Sequence, residues 1–222
     1  MEPPYRNVAW SDALEKTPAA IALTIEGAAR VDLWLRQFAT IRPLTLPLLE
    51  GFHRTIFEEV FPDLAGRLRG EAPRYIPQNV EFGVRDDGKG IPGTRYEHVV
   101  QSCEGLFRRV PSLVTRMDAI MPTEPRNFPL SVLRVAAYVH CEIIKIHPFM
   151  NGNGRSARMC VNYFAYRYGF QPLSYERPSE GSGYIDAITA YLNDTRGGNQ
   201  AADAFAAFLR PRLIRLASDV LQ

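Results

Sequence analysis

The residues best suited to chemistry lie in one short segment, from His147 to Arg158. It reads His-Pro-Phe-Met-Asn-Gly-Asn-Gly-Arg-Ser-Ala-Arg. Glycines on both sides of Asn153 allow a tight turn and let backbone N–H groups approach a ligand. Arg155 and Arg158 would share one face of a helix and could both contact phosphate oxygens. His147 is a candidate general base. The segment therefore predicts a phosphate-binding loop with a proton acceptor beside it.

Helices are predicted on both sides of this loop. Apolar residues at helical spacing follow it from Ala157 to Tyr168, so the loop would lie at a helix N-terminus, which favours anions. A second helical run from Leu130 to Ile144 precedes it, and Pro129 suits a first turn. The preceding helix argues against a dinucleotide fingerprint, which follows a strand. A Walker loop is excluded because no Gly-Lys-Ser/Thr follows the glycines.

The rest of the chain also has mainly helical patterns. Thr17 and Pro18 predict a helix start, and Glu26-Gly27 is a candidate helix break. The apolar run from Val31 to Phe38 either continues this helix or begins another. Alternating residues predict a strand in Arg74 to Val84, followed by a loop at 86–93. Further helices are predicted at 46–57, 97–117, 129–146, 183–191 and 201–221. The sequence therefore predicts an all-α fold with one β-hairpin.

Composition narrows the class of protein. The 222 residues suffice for one core, and a hydrophobic fraction of 46% with 23% charged residues is ordinary for a globular protein. The net charge of +2 is too small to indicate nucleic-acid binding. No apolar stretch approaches the roughly 20 residues of a membrane span. We expect a cytoplasmic protein with no membrane or nucleic-acid partner, and a secreted effector without a cleaved signal would have the same composition. Cys141 and Cys160 are expected to be small buried apolar residues.

The segment at 147–158 resembles the signature of the Fic family, His-x-Phe-x-(Asp/Glu)-Gly-Asn-Gly-Arg-x-x-Arg. The stripe through His53 and Phe57 is similar to the family's early helix, and residues 65–69 to the turn before its hairpin flap. Tyr184 to Leu192 resembles the helix that closes the nucleotide pocket. The resemblance implies an all-α helical bundle with a small β-hairpin flap at 74–84. A helical segment at 1–42 would precede a catalytic core at 43–222.

The resemblance also implies an activity. Such proteins move AMP from ATP to a Ser, Thr or Tyr hydroxyl of a target protein, with His147 as the catalytic base. The residues expected to bind ATP are Asn151, Gly152, Asn153, Gly154, Arg155, Arg158, Tyr184 and Tyr191. The target is expected to pair along the flap, and a second copy or an antitoxin-like protein is a further expected partner.

This sequence departs from the commonest family pattern at a position that matters for metal binding. The expected Mg²⁺ would be held at Asn151, where a carboxylate is usual, so the metal affinity should be lower. Glu26-Gly27 resembles the end of an inhibitory motif, Ser/Thr-x-x-x-Glu-Gly/Asn, although Ala22 replaces its hydroxyl residue. By this resemblance Glu26 would be regulatory and would pair with Arg158.

Three alternatives to protein AMPylation stay open. The same site could be a hydrolase that removes AMP, with Glu26 positioning a water. It could transfer another phosphate-linked group, although Gly154 argues against a phosphate-transferring branch with lysine at that position. It could also be an inactive partner-binding module, for example half of a toxin–antitoxin pair.

Overall fold

Helices make up most of the structure, a computed structural model that describes residues 12–71, 81–84, 90–173, 183–194 and 201–213. The helices are α1 (Asp12–Glu15), α2 (Pro18–Phe38), α3 (Leu46–Phe57), α4 (Tyr96–Thr123), α5 (Phe128–Ile146), α6 (Asn153–Arg167), α7 (Gly183–Asn193) and α8 (Asp203–Leu209). The strands are β1 (Glu81–Val84) and β2 (Gly90–Pro92). The predicted all-α class is confirmed. Among the described residues, none of the helices combines the length and apolar character needed to cross a bilayer.

Helix α5 lies at the centre of the core. Its buried side chains include the consecutive residues Val135 to Cys141, which point in all directions around the helix. A helix that is buried all round must be covered on every side, and α5 packs against α4, α6 and α8. The loop from His147 to Gly152 connects α5 to α6. The signature segment is therefore held by two helices of the core.

Helix α2 begins as predicted but does not break at Glu26-Gly27. The Thr17 side chain accepts a hydrogen bond from the backbone N–H of Ala20 at 3.3 Å, and Pro18 follows in the first turn. The helix then continues through Gly27 to Phe38. A Cβ on Gly27 would lie 2.5 Å from the carbonyl oxygen of Thr55 in α3. This glycine therefore allows α2 and α3 to pack closely, and the candidate break is wrong.

The strand pair differs in part from the prediction. β1 and β2 are antiparallel, with Phe82 opposite Ile91, so residues 90–92 form a strand where a loop was predicted. Residues 74–80 of the predicted strand lie outside the described residues, and a flap over the signature loop stays a prediction. The last predicted helix, 201–221, was too long, because α8 passes into a 3-10 turn at Arg210–Arg212. Pro211 in that turn has no N–H to continue the helix, and residues 214–221 lie outside the described residues.

Candidate nucleotide-binding site

The buried arginine Arg69 fixes the start of the signature loop. Its guanidinium donates to the carbonyl oxygens of His147 (2.7 Å), Ile146 (3.0 Å) and Thr94 (2.9 Å). These include the last carbonyls of α5, which have no partner within the helix. His147 itself adopts a left-handed conformation, with φ 53° and ψ 60°, which is costly for a residue with a Cβ. Arg69 therefore helps to hold His147 in this conformation.

His147 is half-buried at the C-terminal end of α5. Burial, and then the positive charge of Arg69, lowers its pKa from 6.5 to about 4. The imidazole is therefore neutral at pH 7 and has a nitrogen able to accept a proton.

The buried residue His53 fixes the middle of the loop. Its Nδ1 accepts a hydrogen bond from the Gly66 N–H at 2.8 Å, so Nε2 carries the proton and donates to the Asn151 carbonyl at 3.0 Å. Its ring stacks on Phe149 with centroids 3.9 Å apart. Burial lowers the pKa of His53 to about 3, which keeps it neutral. The sequence predicted the helix that carries His53 but not these partners, because Gly66 and Asn151 are 13 and 98 residues away in the chain.

Gly152 ends the loop in a conformation that needs glycine. Its φ is 73°, and a Cβ there would lie 2.3 Å from Cε2 of Phe57. The Phe57 ring also lies under the guanidinium of Arg155, with the Arg155 Cζ 4.8 Å from the ring centroid. The contact between Gly152 and Phe57 therefore positions the first turn of α6 and the arginine that it carries.

The Asn153 side chain shapes the loop from inside. It is buried, with Oδ1 accepting from the Phe149 N–H at 2.9 Å and Nδ2 donating to the Phe149 carbonyl at 2.9 Å. Asn153 is one of the residues expected to bind ATP, and that contact stays a prediction. The two polar groups of the Asn153 side chain are used within the loop, and phosphate contacts from Asn153 would involve its backbone.

A cavity of about 1010 Å³ opens at the first turn of α6. Six of the predicted site residues line it, namely Asn151, Gly152, Gly154, Arg155, Arg158 and Tyr184. The apolar side chains around it come from α2, α6 and α7, namely Ile21, Ile25, Ala28, Met159 and Ile185. The hydroxyl of Tyr184 lies 3.3 Å from Nε2 of His140, and the Tyr184 ring contacts the rings of Phe205 and Phe208 in α8. The cavity therefore combines two cations, helix N–H groups and an apolar wall, as a nucleotide site requires.

Glu15 of α1 also lines the cavity, although sequence reasoning did not single it out. Its carboxylate accepts a hydrogen bond from Nδ2 of Asn151 at 3.0 Å and forms an ion pair with Arg155. The side chain is only 14% exposed. No sequence signal could have identified it, because 136 residues separate Glu15 from Asn151.

The signature segment and the surrounding fold match known proteins. Residues 43–165, more than half of the chain, match the family model described as the Fic/DOC family. The chain belongs to the Fic/DOC family. It is 43% identical over 130 residues to the protein adenylyltransferase Fic of Nematostella vectensis, a match that covers 59% of this chain and 25% of that protein. The chain spans a quarter or less of the length of the curated Fic relatives that it matches.

Solved Fic structures show the same fold. A Fic-domain signalling protein of Bacteroides thetaiotaomicron aligns with a TM-score of 0.64 at 20% identity, covering 86% of this chain and 67% of that one. A Fic domain of a Bartonella quintana effector with bound ADP aligns with a TM-score of 0.56 at 15% identity, covering 96% of this chain and 95% of that one.

The pairing of Glu26 with Arg158 expected in this Fic protein stays a prediction, and the placement of Glu26 on α2 does not favour it. Thr24 and Ala28 of α2 face the cavity, and Glu26 lies two residues from each, or about 200° around the helix. The Glu26 side chain is exposed and does not line the cavity, whereas Arg158 does line it. The continuous helix places Glu26 on the opposite face, where a break at Gly27 could have redirected it.

Tyr191 also lies outside the cavity lining. Its hydroxyl donates to the carboxylate of Glu142 in α5, and burial together with this carboxylate raises its pKa. This hydrogen bond connects α7 to α5, and a nucleotide contact of Tyr191 stays a prediction. Cys141 and Cys160 are buried and free, as predicted.

The cavity residues offer few ligands for a metal ion. Within the described ranges, no cluster of three or more His, Cys, Asp or Glu side chains could hold an ion. The Oδ1 of Asn151 accepts a hydrogen bond from the Gly152 N–H at 2.7 Å, which engages one of the two lone pairs of its amide oxygen. Mg²⁺ needs few protein ligands when phosphates supply the others, usually one or two carboxylates. The carboxylate at this site belongs to Glu15.

Proposed function

We propose that this protein is a protein adenylyltransferase that moves AMP from ATP to a hydroxyl of a target protein. The observation that carries the proposal is the cavity at the first turn of α6, which both signature arginines line. Relatives named protein adenylyltransferase Fic support the choice of AMP. In the transfer, the hydroxyl oxygen of the target forms a bond to the α-phosphorus of ATP. The bond between the α-phosphorus and the oxygen that bridges the α- and β-phosphates breaks, and pyrophosphate leaves.

The triphosphate would bind at the N-terminus of α6. Gly154 lines the cavity there, and the first N–H groups of a helix have no partner within it. Arg155 and Arg158 would bind the β- and γ-phosphates through paired N–H donors. The adenosine would pack on the apolar wall that contains Ile25 and Ile185. A divalent cation bound with ATP would neutralise charge on the leaving pyrophosphate.

His147 would accept the proton of the attacking hydroxyl. It lies outside the cavity lining but only four residues before Asn151, so the base would lie at the side of the bound nucleotide. This arrangement suits an acceptor hydroxyl that comes from a second protein. The negative charge of bound ATP would raise the His147 pKa from about 4 towards neutrality, where a general base is more effective.

The target segment would present this hydroxyl by pairing with an exposed strand edge. We propose the predicted flap at 74–84 for this role, of which the structure describes only β1. Addition of an extended segment to a strand edge uses main-chain hydrogen bonds and so accepts many sequences.

The test is transfer of label from α-³²P-ATP to proteins of a cell lysate, comparing wild type with His147→Ala and with His98→Ala. His98 is exposed and serves as a matched histidine control. Loss of the base should lower transfer by about 10²- to 10⁴-fold and leave ATP affinity within a few-fold, whereas His98→Ala should retain transfer. Transfer by His147→Ala at the wild-type rate would refute the base. Release of AMP from prelabelled protein would favour the hydrolase, and an inert wild type would favour the binding module.

A further inference from the structure

The Glu15 carboxylate lies where the signature lacks a negative charge. Position 151 carries a carboxylate in the commonest Fic pattern, and here it carries an amide. The Nδ2 of Asn151 donates to Oε2 of Glu15 at 3.0 Å, while Oδ1 accepts from the Gly152 N–H at 2.7 Å. The amide therefore directs its donor, rather than its oxygen, towards a carboxylate from another part of the chain.

The contact with Arg155 shows what must change when phosphate binds. Glu15 and Arg155 form an ion pair, and their side chains are only 14% and 25% exposed. A phosphate that binds Arg155 would compete with the carboxylate for the same guanidinium. The phosphate and Glu15 would then be two like charges in a partly buried space, where water screens them weakly. A divalent cation between them would remove this repulsion.

We propose that Glu15 supplies the anionic protein ligand for a divalent cation that binds together with ATP. Asn151 would act as a positioning residue that orients the Glu15 carboxylate through its amide N–H, as hydrogen-bond partners commonly orient metal ligands. The inference rests on the proposed function, since the cation is placed by the phosphates of ATP. It assigns a role to α1, which precedes the residues matched by the Fic/DOC family model.

The test measures binding rather than turnover. The affinity for α,β-methylene-ATP, which cannot transfer AMP, is measured calorimetrically with Mg²⁺ and with EDTA, for wild type and Glu15→Gln. Gln keeps the shape of the side chain and removes its charge. We expect Mg²⁺ to strengthen wild-type binding, and Glu15→Gln to weaken binding at least tenfold with Mg²⁺ but to strengthen or preserve it with EDTA. Electron paramagnetic resonance of Mn²⁺ should show less bound Mn²⁺ in the variant complex.

Two further variants make the test specific. Glu104→Gln makes the same change of charge at an exposed residue of α4 that does not line the cavity, and it should leave both affinities unchanged. Asn151→Asp in the Glu15→Gln background restores a carboxylate beside the same cavity and should recover the response to Mg²⁺. Thermal melting of each variant establishes that it is folded under the binding conditions.

The possible outcomes separate the proposals. If Glu15→Gln strengthens binding with Mg²⁺ and with EDTA alike, Glu15 only competes with phosphate, and the cation role is overturned. If Glu15→Gln binds as wild type does in both conditions, the ion pair with Arg155 is structural, which also overturns it. A folded wild-type protein that binds no nucleotide under either condition would overturn the proposed function itself, and the cation role with it.

Discussion

The contact between Gly152 and Phe57 gives a prediction that can be worked out in magnitude. Gly152→Ala adds one methyl group at the junction of the signature loop and α6. The methyl carbon would lie 2.3 Å from Cε2 and 2.5 Å from Cζ of Phe57, and the backbone would keep a φ of 73°. The substitution therefore has two separate costs, a steric clash and a left-handed backbone carrying a Cβ.

Gly169 allows the two costs to be measured apart. It also has a positive φ, 74°, but a Cβ there would meet nothing within 4 Å. Gly169→Ala should therefore cost only the backbone term, about 1–2 kcal/mol. Gly152→Ala should cost this amount plus about 1–3 kcal/mol for overpacking against Phe57. We expect a total loss of about 2–5 kcal/mol in the free energy of unfolding.

The assay is urea denaturation of both variants at one temperature, with ATP affinity measured in parallel. Only Gly152→Ala should weaken ATP binding, because Phe57 also supports Arg155. In a double-mutant cycle with Phe57→Leu, the smaller side chain should relieve the clash and give a favourable coupling of about 0.5–3 kcal/mol. Equal destabilisation by the two glycine variants, or zero coupling with Phe57, would refute the reasoning.

Further predictions concern the buried polar groups. Folding lowers the pKa of His147 from 6.5 to about 4 and that of His53 to about 3, so the unfolded chain binds more protons between these values. The free energy of unfolding should therefore be highest above pH 6.5 and decrease as the pH falls to about 3. A free energy of unfolding that does not change with pH in urea denaturation would contradict this. Arg69→Met should cost about 3 kcal/mol or more because buried carbonyls lose a charged donor. The exposed ion-pair residue Arg30 is the control, and Arg30→Met should cost at most about 1 kcal/mol in the same assay. Tyr191→Phe should leave the ATP affinity measured by calorimetry unchanged, since Tyr191 does not line the cavity. A tenfold loss of ATP affinity would show that Tyr191 contributes to the site.

Much of the helical framework could be predicted from the sequence because its signals are local. Thr17 and Pro18 mark the start of α2 through a cap and a preset φ, both set by neighbouring residues. The signature segment likewise contains its own turn and its own helix start. Its order of residue types was sufficient to predict the family and to place Asn151, Arg155 and Arg158 near one another.

Contacts between segments distant in the chain decided the local structures that the sequence predicted wrongly. The same Glu26-Gly27 pair is typical of a helix break, but close packing on α3 makes Gly27 part of a continuous helix. That continuity decides which face Glu26 occupies. Residues 90–92 became a strand only through pairing with β1. In each case the local preference was weak, and a contact with another segment decided the outcome.

The same division applies to the site. The sequence by itself determined which residues could bind phosphate and that His147 could accept a proton. The tertiary structure decided that the Asn153 side chain is used within the loop and that Glu15 reaches Asn151 and Arg155. The physical reason is that a hydrogen bond or ion pair depends on distance in space, and residues far apart in the chain leave no periodic signal of their meeting.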